Sequence, residues 1–166
     1  GITFGKFEGP AASFRAASNQ YFESPTTAPF TAPPFSVLTW FNPVSATVAY
    51  NLWVLEPDSS HTSGAYFNLT ASNTTNGKVD AGTSASGIES DASTVTKFTA
   101  NTWNQAVGVW GSATDRRAFL NGGGKGTNAT SRTPVISGNP LMDVGADNDV
   151  NAATIFSPTN GLIDHV

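Results

Sequence analysis

The chain has 166 residues, 39% of them hydrophobic and only 12% charged, about half the charged share of an ordinary soluble domain. Its many Ser, Thr, Asn and Gly side chains must therefore carry solubility. Eight basic against 12 acidic residues, with Arg116-Arg117 the one basic pair, argue against a nucleic-acid partner. The absence of cysteine removes a disulfide framework, a thiolate zinc site and a thiol nucleophile, and no apolar run approaches the roughly 20 residues that insert across a bilayer.

A chain of this length suits one domain, residues 1–166, able to bury roughly 70% of its unfolded surface. No signal-peptide pattern precedes Gly1. Whether Gly1-Ile2 follows an initiator Met or marks a processed end stays open.

Helical periodicity is absent, because Gly, Pro and Ser-Thr clusters interrupt every window of a dozen residues, and an all-β chain follows. Ile2-Thr3-Phe4 alternates as a short strand. Four prolines, Pro25, Pro29, Pro33 and Pro34, make residues 24–34 a crossing loop, since proline lacks the ladder donor. Residues 35–41 form the best buried strand of the first half and residues 49–55 the next. Residues 65–69 then pair with 78–81 across a turn in which Asn76-Gly77 supplies positive φ. Residues 81–102, poor in anything to bury, are expected to form a long surface loop with one weak strand around Val95-Thr96-Lys97-Phe98. Residues 121–124 make a second hairpin turn and residues 147–151 a third, acidic one.

Four runs close the chain: 103–110, 116–122, 141–146 and 161–164. Each is a short alternating or apolar stretch ended by Gly, Asn or Asp. In order they resemble the "TWNHV", "LNG", "L-x-IG" and "G-x-IDEV" segments of laminin G-like domains, which belong to the concanavalin A-like lectin and glucanase group. Phe35 to Pro43 is similar to that family's "FTVSAWVKP" strand, and Ala12-Ser13-Phe14 with Tyr21-Phe22-Glu23 to its opening strands. The resemblance runs from about Ala12 to the C-terminus. It implies an antiparallel two-sheet β-sandwich of jelly-roll type, and glycan or protein binding as its work.

Catalysis finds little support. Glycosidases need two carboxylates flanking one bond, roughly 5 Å apart when the mechanism retains configuration. Of Glu8, Glu23, Glu56 and Glu89, none has another acid two or three positions away on a strand except Glu89, with Asp91. The pair falls in the expected Ser-rich loop, where water would hold ordinary pKa values. His61 and His165 are the only histidines. No G-x-S-x-G elbow is present to hold a serine nucleophile beside either of them, and their separation does not suggest zinc.

Asp147, Asp149 and Asn151 offer alternating oxygen donors suited to Ca2+, although Asp and Asn are also common turn residues and the Gly and closing Glu of a calcium loop are missing. The triplets at Asn68, Asn73 and Asn128 that match the glycosylation pattern are read as chance in a chain rich in Asn and Thr. Sugar binding by a sandwich needs an aromatic face flanked by amides or carboxylates. Tyr50, Trp53, Tyr66 and Trp110 are the candidates. Trp40 and Trp103 are assigned to the core, and Trp110 is expected to point away from Val107 and Val109, toward sugar or another chain.

The resulting expectation is a non-catalytic recognition or structural module, extracellular or on a virion surface. Its partners would be a capsid or other virion protein, a second copy, or a cell-surface glycan. A short sandwich without signal-peptide pattern or cysteine and rich in Thr, Asn, Ala and Gly tilts the expectation toward capsid decoration or phage adhesion. A carbohydrate-binding module of a larger secreted protein and a polysaccharide-active enzyme of the same fold are the alternatives.

Overall fold

The computed structural model describes residues 11–18, 20–24, 28–57, 64–72, 77–149, 154–156 and 159–164, with backbone alone at 16, 72, 147–149 and 154–156. The expected strand at Ile2-Thr3-Phe4, both histidines and Asn151 lie outside these residues.

In chain order the strands are β1 (Ala12–Phe14), β2 (Phe22–Glu23), β3 (Phe35–Pro43), β4 (Tyr50–Glu56), β5 (Tyr66–Ser72), β6 (Lys78–Ala85) and β7 (Ile88–Ser93). There follow β8 (Asn104–Ser112), β9 (Asp115–Leu120), β10 (Gly123–Asn128), β11 (Leu141–Val144), β12 (Asp147–Asp149), β13 (Thr154–Phe156) and β14 (Gly161–Asp164). The first sheet runs β1-β14-β3-β8-β9-β10 and the second β2-β11-β4-β5-β6-β7, six strands each, with β12 and β13 as a separate ribbon. Every ladder is antiparallel. Among the described residues no α-helix forms, and no helix is long and apolar enough to cross a membrane. This is the two-sheet jelly-roll sandwich that the resemblance to laminin G-like domains implies.

The core lies between the sheets. Along β3, Val37, Thr39 and Phe41 are buried while Ser36 and Leu38 face water, the period of two that a pleated strand imposes. Along β8 the inward set is Asn104, Ala106, Gly108 and Trp110. Trp110 is 0% exposed, stacks on Phe35 at 4.9 Å between centroids and meets Phe67 edge-on at 6.2 Å. Trp110 therefore does point away from Val107 and Val109, but into the core. The two valines, half-buried, stand on the outer face. The expected orientation is inverted because the inner row of β8 is built from small residues that leave room for one very large ring.

The loop expected over 81–102 is instead mostly sheet. Strand β6 continues to Ala85 and pairs with β7 from Ala85↔Ile88 to Asp80↔Ser93. Residues 95–98 form no strand; Phe98 donates its backbone N–H to the Gly77 carbonyl at 2.8 Å and packs on Phe41. Two turn expectations hold. The chain between Ser24 and Phe35 is non-strand wherever described, and Asn121 (φ 52°) and Gly122 (φ 72°) take the paired positive angles of a two-residue hairpin turn. The acidic stretch expected as a third turn begins as strand β12, paired with β13.

Gly108 sets the fit of the central ring. A Cβ there would lie 2.5 Å from Trp110 Cη2 and 3.2 Å from Leu69 Cδ1. Overpacking of this kind costs about 1–3 kcal/mol, so Gly108→Ala should lower stability in urea unfolding by that amount. At Gly123 an added Cβ meets nothing within 4 Å, and Gly123→Ala should leave stability within about 0.5 kcal/mol. Equal stability of the two variants would contradict the packing described here.

Candidate functional site

The outer face of the second sheet gathers the chain's polar groups. Tyr66, Asn68 and Thr70 of β5 stand opposite Ser84, Gly82 and Asp80 of β6. These in turn stand opposite Glu89, Asp91 and Ser93 of β7. The alternate positions Phe67, Leu69, Ala81 and Ala92 are buried in the core, so the pleat sends this polar set outward.

The missing side chain of Gly82 lets the polar set converge. A Cβ there would collide with Asn68 Oδ1 and lie 2.6 Å from Asp91 Oδ1 and 2.9 Å from Glu89 Oε1. Asn68 Nδ2 donates to Glu89 Oε1 at 3.0 Å. Tyr66 stands half-buried one row along, level with Ser84 and Glu89. Below the sheet, Trp110 Nε1 donates to the Gly82 carbonyl at 3.0 Å, so the floor of the site is tied to the opposite sheet.

The electrostatics follow from the crowding. Asp91 keeps an exposed edge, yet its carboxyl is pushed up to about 7. Water displaced by neighbouring protein atoms is the largest cause, and the negative charges of Glu89 and then Asp80 follow. Arg116 opposes the shift, and the Glu89 carboxyl hydrogen-bonds the neutral form. Arg116 is buried on the inner side of β9, with Nη1 donating to the Ala113 carbonyl and Nη2 to Asn128 Oδ1, each at 3.2 Å. Asn128 Nδ2 in turn donates to the Asp91 carbonyl at 2.9 Å. Glu89 and Asp91, expected to be ordinary loop carboxylates, are strand residues with one strongly perturbed member.

Of the four aromatic candidates, Tyr66 alone joins this face, with Asn68 beside it. Tyr50 and Trp53 are 1% and 2% exposed and belong with Trp110 to the core, so none of the three presents a ring for stacking. Trp53 borders an apolar cavity of about 450 Å3 with Phe22, Phe30, Leu38, Met142 and Val144. Trp103, expected in the core, is 43% exposed, and Trp40 lies half-buried on the outer side of β3. Asp147 and Asp149 sit on strand β12. Among the described residues no group of three His, Cys, Asp or Glu is placed to hold a metal ion.

Sequence reasoning missed Asp80 and Gly82, and it placed the Glu89 and Asp91 pair in a loop instead of on strand β7. The available signal was Ser86-Gly87, a turn dipeptide whose residues both take positive φ, 53° and 74°. It separates two polar stretches that alternate with period two.

Residues 16–166 match the family model for concanavalin A-like lectin/glucanases. The chain belongs to this superfamily. No curated protein matches the sequence. Among solved superfamily-like structures, domain 4 of AbnA, an extracellular arabinanase from Geobacillus stearothermophilus in complex with arabinotriose, is 19% identical with a TM-score of 0.62, covering 82% of this chain and 60% of that one. The heptameric SAP-like pentraxin from Limulus polyphemus is 15% identical with a TM-score of 0.63, over 87% of this chain and 66% of that one. The Ruminococcus gnavus sialidase module CBM40 bound to α2,3-sialyllactose is 13% identical with a TM-score of 0.62, over 96% and 91%. The chain thus spans less than two thirds of the first two, and the likeness to all three is one of fold.

The raised Asp91 carboxyl has a thermodynamic consequence. The native state holds this proton up to about 7, whereas an unfolded Asp releases it near 3.9. The native state therefore binds more protons between these values, and stability falls as pH rises from about 4 to about 7. Asp91→Asn should flatten this slope and raise the melting temperature at pH 8 by a few degrees, about 3 °C, with little change at pH 4. An unchanged slope in a calorimetric series would remove the assignment.

Proposed function

We propose that this chain is a non-catalytic carbohydrate-binding module whose glycan site is the outer face of the second sheet. One observation carries the reading: Asn68, Glu89 and Asp91 converge over Gly82, with the ring of Tyr66 alongside. Amide and carboxylate oxygens and N–H groups bind sugar hydroxyls, and an aromatic ring covers the apolar face of a pyranose. Membership of a lectin-containing superfamily supports the reading, as does likeness in fold to structures described with arabinotriose and sialyllactose.

The carboxyl pair argues for binding over hydrolysis. Glu89 Oε1 and Asp91 Oδ1 lie 2.9 and 2.6 Å from the point a Gly82 Cβ would occupy, whereas carboxylates that work on a glycosidic bond stand roughly 5–9 Å apart on either side of it. Crowded onto one point, the pair offers hydrogen-bonding oxygens to a sugar and does not bracket a scissile oxygen.

The same face would serve an extracellular module of a larger protein or an adhesin or decoration protein on a virion. We place the protein outside the cell on the strength of its sugar-binding chemistry. Calcium near Asp147, Asp149 and Asn151 is a separate proposal. A site formed only in the native state raises the melting temperature by mass action, so a scan with and without chelator decides it.

A glycan array followed by titration calorimetry tests the main reading. Wild type should bind at least one glycan without releasing reducing sugar. Tyr66→Ala removes the stacking ring, and Gly82→Ala forces Asn68, Glu89 and Asp91 apart. Each should weaken binding about tenfold while the circular dichroism spectrum stays that of a β protein. Silence across the array, or sugar release abolished by Glu89→Gln, would overturn it.

A further inference from the structure

We propose a second glycan-binding surface on the outer face of the first sheet, with Trp103 and Trp40 as its stacking rings. Trp103 immediately precedes β8 and is 43% exposed. Asn104 pairs with Phe41, so Trp103 stands level with Asn42, the outward neighbour of Phe41 on β3. Trp40, also outward, pairs with Gln105 on one side and Asp164 on the other. By this register Trp103 and Trp40 are diagonal neighbours, about 7–8 Å apart at Cα.

Asn42, level with Trp103, joins these rings to a polar hollow. Asn42 and Leu162 are cross-strand partners, and Leu162 pairs with Ser13. Ser13, Arg15, Asn42 and Asn160 line a hollow of about 320 Å3 at this end of the sheet. Asn121 borders the far side of Gln105, accepting its backbone N–H at 2.7 Å. Exposed indole beside amides, a hydroxyl and a guanidinium is the chemistry that holds an oligosaccharide, with C–H faces on the rings and hydroxyls on the polar rim. An extended sugar chain is the occupant that uses both parts. A protein partner matched to the rings would leave the polar hollow uncovered.

The two outer faces point in opposite directions, so one stretch of glycan cannot fill both. The molecule would be bivalent, bridging two sugar chains or two segments of one, and gaining avidity where sugar is dense. This rests on the carbohydrate reading but not on the carboxylate face.

Tryptophan fluorescence separates the two sites. Trp53 and Trp110 are buried, so acrylamide quenching reports on Trp40 and Trp103. With a polysaccharide found on the array, wild type should show two binding events per chain and about twofold protection from quenching as the rings are covered. Trp103→Ala, and separately Trp40→Ala, should remove one binding event and the protection. Gly82→Ala should remove the other event and keep the protection. A single event abolished by Gly82→Ala, with no protection of tryptophan, would overturn the second surface and leave the first intact. Binding of no glycan at all would overturn both. A dimer in sedimentation that Trp103→Ala dissolves would assign this face to a second copy instead of sugar.

Discussion

The hydrogen bond from Trp110 Nε1 to the Gly82 carbonyl is the constraint on which the rest of the sandwich turns. An indole in an apolar core needs a partner for its one donor, because an unmet buried N–H costs about 1–3 kcal/mol. Trp110 belongs to β8 of the first sheet and Gly82 to β6 of the second, so satisfying the donor fixes the two layers against each other. The ring also occupies the middle of an aromatic group with Phe35, Trp53 and Phe67. Apolar burial alone would permit sliding; a directional bond between two particular residues does not.

That single anchor joins the core to the polar surface. Gly82 has no side chain on the outer face, and Asn68, Glu89 and Asp91 fill the space a Cβ would take. Its carbonyl is meanwhile engaged from within. The position must be small on the outside and correctly placed on the inside, which joins what holds the fold to the polar face proposed for a glycan. The carboxyl pair above it is tolerated because one member keeps its proton to about 7, so the site carries less negative charge than its formula suggests.

Much of the architecture was legible in the chain because strands of a sandwich announce themselves by alternation. Residues 35–41, 103–110 and 161–164 read directly as strands, and residues 65–69 and 78–81 as partners in a hairpin. The failures share one cause. Alternation tells which residues lie on the same side of a strand but not which side is the core. In β8 the pair Val107 and Val109 looked like the inner row, and Ala106, Gly108 and Trp110 turned out to be it. Likewise β7 was taken for loop because its buried positions, Ala92 above all, are small and its outward ones are Glu, Asp and Ser. The site inherits both errors: three of its four expected aromatics are core residues, and its carboxylates were placed off the sheet.

The choice of small residues for the inner rows also decides which aromatics remain for binding. A sandwich has a fixed thickness of about 10 Å, so each large ring between the layers needs a small residue opposite or beside it. Ala106, Gly108, Ala118, Ala81 and Ala92 supply that space around Trp110 and its neighbours. Trp53 and Trp110 occupy it, while the register of β3 turns Trp40 outward and Trp103, just before β8, stays 43% exposed. An indole left partly in water is poorly hydrated over most of its area, and a flat apolar surface of matching size lowers that cost by covering it. The packing of the core and the register of β3 thus leave two indoles at the surface of the first sheet.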